Sequence, residues 1–321
     1  MSVGSANTET ARTGTADPGG ALPIGRFAPS PTGRLHLGSV LSAVGSYLAA
    51  RAEGGRWLVR MEDLDTPRVI PGADSEILST LERLGLEWHG EVLYQSRRAE
   101  AYFDALDTLK AKGLLFACTC SRTSLVGTDE ATSTPRYPGL CRHRPPVFER
   151  GHAALRFRAA TDASLVAFQD LYQGYRQEDV AATTGDFIAL RRDGIPSYHL
   201  AVVVDDAAQG VTQVIRGADL IDSVPRQVLL QRSLGLPPPR YGHLPLVTEP
   251  DGTKLSKSRR SVPAGLEAPG ALLLRVLRLL RQDPPEALRR APPEEILAWA
   301  ASQWRQEAFF GARGIPADFP G

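Results

Sequence analysis

Between Ile24 and Met61 the chain reads strand, loop, helix, strand, and no other stretch restricts the fold as strongly. Ile24 to Ala28 is a short strand candidate, broken by the loop Pro29-Ser-Pro-Thr-Gly33. From about Gly38 to Ala52, Val40, Leu41, Val44, Tyr47 and Leu48 recur at helical spacing. Arg56 to Met61 (RWLVRM) is then a second strand. A helix between two strands predicts a βαβ unit and a parallel sheet, hence an α/β fold.

The rest of the chain extends that pattern. Asp74 to Leu84 and Arg98 to Lys112 are predicted amphipathic helices. Tyr198 to Asp205 (YHLAVVVD) and Thr212 to Ile215 (TQVI) are expected to be buried parallel strands. From about Ala268 the chain turns helical, with Leu272, Leu273, Val276, Leu277 and Leu280 on one face. Arg275, Arg278 and Arg281 mark another face, expected to be solvated, and two Pro pairs (Pro284-Pro285, Pro292-Pro293) split this region into short helices. Residues 1–22 are Ser, Thr, Ala and Gly without apolar periodicity, expected to be a disordered tail and not a secretory signal. No run of about 18 apolar residues occurs, which excludes a membrane-spanning helix. The net charge of +1 neither demands nor excludes a nucleic-acid partner, because steering depends on local patches.

Two motifs point to phosphate chemistry. Pro29-Ser-Pro-Thr-Gly-Arg-Leu-His-Leu-Gly-Ser39 follows a strand and opens a helix, where free amides carry partial positive charge and accept phosphate. Gly33 and Gly38 let a phosphate approach the backbone, and His36 can donate to it. Far along the chain, Lys254-Leu-Ser-Lys-Ser258 follows an Asp251-Gly252 turn. Only four of the 37 basic residues are Lys, so two of them three residues apart are informative in a chain that otherwise writes Arg. Paired ammonium groups suit the charge that develops on a departing pyrophosphate. Neither a P-loop nor a G-x-G-x-x-G motif is present, so the common nucleotide folds have no anchor.

All three cysteines, Cys118, Cys120 and Cys141, fall in the aperiodic segment from Ala117 to Pro146, which cannot bury a core of its own. Unpaired cysteines indicate a reducing compartment or a metal, and a zinc ion would staple such a segment. Chemistry alone selects His143 as the fourth ligand. Arg26, Glu62 and Arg216 follow or end predicted strands and Tyr198 begins an apolar one; taken alone, each reads as a surface ion-pair partner. The other histidines, His243 among them, show no spacing that suggests a site, and Asp205 and Asp206 read equally well as magnesium ligands or capping residues.

His36-Leu-Gly-Ser39 with Lys254-Leu-Ser-Lys-Ser258 resembles the HIGH and KMSKS signatures of class I aminoacyl-tRNA synthetases. Arg26-Phe-Ala-Pro-Ser-Pro-Thr-Gly33, Glu62-Asp-Leu-Asp65 and Ile215-Arg-Gly-Ala-Asp-Leu220 resemble the glutamate-specific branch. The five motifs stand in the family's order over roughly Pro23 to Ser261. The short glutamyl-queuosine branch is the nearest match, because about 60 residues follow the Lys loop and Ser39 fills the last position of the HIGH-like motif.

The resemblance implies a Rossmann-like class I catalytic domain in two halves, 23–112 and 195–261. A zinc-bearing insertion at 113–194 and a short helical C-terminal region at 262–321 complete it. It implies that Arg26, Phe27, Ala28, Pro29, Ser30, Glu62, Tyr198 and Arg216 bind glutamate. His36, Gly38, Ser39 and Lys257 would bind ATP with Mg2+, and His36, Lys254 and Lys257 would act in catalysis. It also implies one structural zinc on Cys118, Cys120, Tyr137 and Cys141, with Tyr137 in place of His143. The expected reaction is formation of glutamyl-adenylate and transfer of glutamate to the queuosine base of tRNA(Asp), by a cytoplasmic monomer. A truncated glutamyl-tRNA synthetase charging tRNA(Glu), a small-molecule nucleotidyltransferase and a non-catalytic RNA-binding module are the rival readings.

Overall fold

The structure, a computed structural model, describes residues 21–121, 136–161, 163–248 and 267–317. It begins with β1 (Ile24–Phe27), α1 (Leu37–Ala52) and β2 (Arg56–Met61), the two strands running parallel with Ile24 opposite Arg56. After α2 (Ala73–Arg83), the two-residue β3 (Leu93–Tyr94) adds to β2 in parallel. Then come α3 (Ala99–Ala111), β4 (Leu115–Cys118), β5 (Ala154–Phe157), β6 (Leu165–Asp170), β7 (Gly174–Asp179) and β8 (Phe187–Leu190). β4, β5 and β8 form a separate antiparallel sheet.

Next are α4 (Tyr198–Ala208), β9 (Gln213–Gly217), α5 (Val224–Leu234) and β10 (Arg240–Leu244). β10 lies parallel to both β9 and β6, and β7 closes that sheet antiparallel to β6, so strands from within 113–194 join those from 195–261 in one sheet. β11 (Leu246–Thr248), α6 (Pro269–Leu279), α7 (Pro293–Ser302) and β12 (Gly314–Pro316) finish the chain, with β12 parallel to β11. No helix among the described residues is long and apolar enough to cross a membrane.

At β1 and β9 two hydrogen bonds join residues 23–112 to residues 195–261. The Thr212 N–H donates to the Ile24 carbonyl at 3.0 Å, and the Ile24 N–H donates to Thr212 Oγ1 at 2.9 Å. β1 therefore stands between β2 on one side and β9 on the other, and the strand order reverses there. At such a switch point the loops beyond the carboxyl ends of adjacent strands diverge and leave a crevice.

α1 fills the space behind this crevice and is buried along most of its length. Gly45 lets it approach β10, since a Cβ there would lie 2.5 Å from Leu244 Cδ1. Trp57, fully buried, meets Tyr47 edge-on at 5.3 Å and donates its indole N–H to Ser46 Oγ. Such an aromatic pair contributes about 0.5–1.5 kcal/mol beyond its buried area.

One expected element has the opposite geometry. The run Tyr198 to Asp205 is not a strand but most of α4. Ser197 caps the helix by accepting the Leu200 N–H, and Leu200 and Val203 enter the core beside α3 and α5. A short, uniformly apolar run has no period to read, so the cap and the surrounding packing decide between helix and strand.

Candidate active site

A cavity of about 470 Å3 opens at the switch point, over the carboxyl ends of β1, β2 and β9. Every described residue expected to bind glutamate or ATP lines it: Arg26, Phe27, Ala28, Pro29, Ser30, His36, Gly38, Ser39, Glu62, Tyr198 and Arg216. Lys254 and Lys257 lie outside the described residues.

One part of the cavity is built by the start of α1. His36 is its N-cap, with extended backbone, and its Nδ1 accepts the Ser39 N–H at 3.2 Å. With Nδ1 accepting, a neutral imidazole carries its proton on Nε2, which faces Ser39 Oγ at 3.1 Å and can donate to a phosphate instead. A Cβ at Gly38 would press on the His36 ring at 3.3 Å. Gly33, with φ of +129°, takes a turn conformation that L side chains rarely adopt.

The part of the cavity around Arg26 and Glu62 rests on buried charge. Arg60, fully buried, donates to Asp206 Oδ1 at 2.8 Å, to Gln209 Oε1 at 2.8 Å and to Glu62 Oε1 at 3.3 Å. Arg26 Nε reaches the same Asp206 oxygen at 3.3 Å. Neighbouring Asp205 accepts from Arg98, Gln95 and Tyr102. Burial raises the Asp206 pKa, but Arg60 and Arg26 outweigh it and hold the carboxyl below its usual range. At Glu62 burial wins over the same two arginines, and its pKa is raised.

Arg216 is held differently. Its guanidinium donates to His243 Nε2 at 3.1 Å, to Gln227 Oε1 at 2.9 Å, to the Leu220 carbonyl at 3.3 Å and to Tyr198 Oη at 3.2 Å. All four acceptors are neutral, so among the described residues no carboxylate pairs directly with the guanidinium, and its charge acts on Asp206 only from a distance. Asp205 and Asp206 are arginine partners inside α4 rather than strand-end caps, and among the described residues they gather no further ligands for a metal.

Sequence reading missed Arg60, Asp170 and His243. An arginine between Val59 and Met61 in an otherwise apolar strand was the available signal for the first. For the other two no local signal existed.

The three cysteine sulfurs lie within 4.8 Å of one another. Cys120 and Cys141 are 3.6 Å apart, and Tyr137 Oη is 3.5 Å from Cys118 Sγ and 3.8 Å from Cys120 Sγ. Tetrahedral zinc with bonds of about 2.3 Å to sulfur spaces its thiolates by about 3.8 Å, so this donor set fits one ion. Burial raises the Cys141 pKa, yet hydrogen bonds from Tyr137, Thr119 and Cys120 and the Arg144 charge bring it down to about 7. Burial pushes the Tyr137 phenol up instead, so its proton must be displaced for it to ligate. Arg156 stacks 4.0 Å over the Tyr137 ring, whereas His143 is exposed.

Parallel strands on either side of β1, with the start of α1 and the Glu62, Arg26 and Arg216 side chains around one cavity at their carboxyl ends, make a Rossmann-like class of α/β domain. The model of the catalytic domain of class I tRNA synthetases (E and Q) matches residues 24–281, and the chain belongs to that family. It is similar to the Glutamyl-Q tRNA(Asp) synthetase of Pseudomonas putida, 50% identical over 293 residues that cover 91% of this chain and 96% of that one. The enzyme of the same name from Geobacter sulfurreducens is 50% identical over 297 residues, covering 89% and 93%. Among solved structures, a glutamate tRNA ligase from Elizabethkingia meningosepticum in complex with its amino acid superposes with a TM-score of 0.75. At 24% identity over 93% of this chain and 68% of that one, it speaks for the fold.

Proposed function

We infer that the protein activates glutamate with ATP and transfers the glutamyl group to the queuosine base of tRNA(Asp). The observation that carries the first step is the meeting of Glu62, Arg26 and Arg216 with the start of α1 in one cavity. The acceptor follows from the names of relatives that match nearly end to end.

In this reading Glu62 holds the ammonium of glutamate. Arg216, with no carboxylate of its own, grips one substrate carboxylate, and Arg26 the other. An oxygen of the α-carboxylate attacks the α-phosphorus of ATP, and the bond to pyrophosphate breaks. His36 Nε2–H and the amides opening α1 hold the phosphates, while Lys254 and Lys257 stabilise the leaving group. The rate gain then comes from positioning and fixed charge, without a covalent enzyme intermediate. The acceptor base next attacks the glutamyl carbonyl and AMP departs.

Residues 113–194 act as the insertion within the two catalytic halves, and 262–321 as the C-terminal region. Cys118, Cys120, Cys141 and Tyr137 would hold a structural zinc that ties the end of β4 to the 137–141 turn.

Pyrophosphate exchange with glutamate and no RNA tests activation. Labelled glutamate offered with tRNA(Asp) with and without queuosine, and with tRNA(Glu), tests the acceptor. Label on the terminal ribose of tRNA(Glu) would overturn the transfer step, and no exchange at all would overturn both.

A further inference from the structure

Behind Arg216 lies a chain of polar groups that the reaction itself does not touch. His243 is the register partner of Arg216 across β9 and β10, and it is fully buried. One ring nitrogen, Nε2, faces Arg216 Nε at 3.1 Å; the other, Nδ1, faces Asp170 Oδ2 at 2.5 Å. Asp170, also fully buried, uses its second oxygen, Oδ1, to accept the backbone N–H groups of Tyr172 at 3.0 Å, Gln173 at 2.9 Å and His243 at 3.1 Å.

The chemistry of these groups leaves one arrangement. A guanidinium has only donors, so the nitrogen facing Arg216 must be unprotonated. A carboxylate only accepts, so the nitrogen facing Asp170 must carry the proton. Asp170 thus selects the imidazole tautomer that can receive Arg216. A carboxylate placed directly on Arg216 would orient it equally well but would neutralise it. A neutral imidazole orients the guanidinium and leaves its charge for a substrate.

We propose that Asp170 and His243 are positioning residues that aim Arg216 at a carboxylate of the amino-acid substrate by fixing the His243 tautomer. The proposal rests on the reading of Arg216 as a glutamate-binding residue, which a separate variant tests.

Asp170→Asn is the decisive substitution, because it preserves volume and its outcome is forced. Three backbone donors surround Oδ1, so the amide oxygen stays there and the NH2 turns toward His243. The imidazole must then accept at Nδ1 and carry its proton on Nε2, where it meets the Arg216 Nε–H donor to donor. Removal of a buried carboxylate that fixes a tautomer acts in the same way in the serine-protease triad.

Pyrophosphate-exchange kinetics and nitrogen-15 NMR of labelled holoprotein are the readouts. In wild type His243 is expected as the Nδ1–H tautomer, and in Asp170→Asn as the Nε2–H tautomer. The variant should raise KM for glutamate about tenfold or more, the scale of one lost hydrogen bond to a charged group, with KM for ATP within about twofold. His243→Gln, which can place an acceptor at the Nε2 position, should retain more glutamate affinity than His243→Asn, which cannot. A general loss of packing would move both KM values, or only the melting temperature, and would not rank Gln above Asn. Unchanged KM for glutamate in Asp170→Asn, or no ranking between the His243 variants, overturns the proposal. If Asp170→Asn does not fold, the His243 pair decides alone. If Arg216→Gln leaves KM for glutamate unchanged, the binding role of Arg216 fails first, and the two failures are distinguishable.

Discussion

Arg60 and Asp206 meet at 2.8 Å behind the cavity although 146 residues separate them in the chain. Both are almost inaccessible, and through Asp206 the pair also holds Arg26, while through Arg60 it holds Glu62. Two residues that face the cavity are therefore oriented by a charge pair that does not.

That pair should be unforgiving. Removing one partner of a buried ion pair costs about 3–5 kcal/mol, and without Arg60 only the longer 3.3 Å contact from Arg26 is left for Asp206. Arg60→Met is accordingly expected to lose stability on that scale in urea unfolding. A loss below about 1 kcal/mol would show that Asp206 finds an equivalent partner.

Glutamate binding should weaken on the acid side. The Glu62 pKa is raised above its usual value by burial. In its proposed role the carboxylate holds the substrate ammonium, so affinity is full above the raised pKa and falls as pH drops through it. KM for glutamate measured from pH 5 to 8 should rise at the acid end in wild type. In Glu62→Gln it should be weak and nearly flat, and an equally steep profile in that variant would falsify the assignment.

His199 predicts a separate acid effect on stability. Burial, then the Arg226 and Arg216 charges, depress its pKa to about 3. Below the unfolded value of about 6.5 the unfolded chain takes up a proton that the fold refuses, so stability falls with pH by up to about 1.4 kcal/mol per unit. His199→Phe should lessen the slope between pH 6 and 4, as chemical denaturation would report. An unchanged slope would mean that His199 protonates freely in the folded protein.

Metal content gives a third kind of test. Purified protein is expected to carry about one zinc, and Cys141→Ser to lose it along with several degrees of melting temperature. Tyr137→Phe should lose more zinc than His143→Ala, given that His143 is exposed. The reverse order would return the fourth position to the histidine.

Lys257→Ala should slow activation by about two orders of magnitude or more, the scale of one transition-state donor, with glutamate affinity nearly intact. Lys257→Arg should also be impaired, since a planar fork replaces a compact ammonium poorly. Exchange rates within threefold of wild type would remove Lys257 from the mechanism.

From its sequence alone this protein declares what depends on neighbours along the chain. The β1–α1–β2 unit is legible because apolar residues repeat with the period of each element. The His36 helix start is legible because glycines and a capping residue must be contiguous, and the Cys118, Cys120 and Cys141 cluster because its members lie close together along the chain. Arg26, Glu62 and Arg216 could be singled out by motif and by charge at strand ends, without their partners. Tertiary structure decided the rest. Whether Tyr198 to Asp205 would be helix or strand depended on the Ser197 cap and on what packs around the run. The pairing of Arg60 with Asp206, and of Asp170 with His243 and Arg216, leaves no local trace. A buried hydrogen bond requires only that two side chains converge, and nothing in the spacing of residues along a chain records where distant strands will meet.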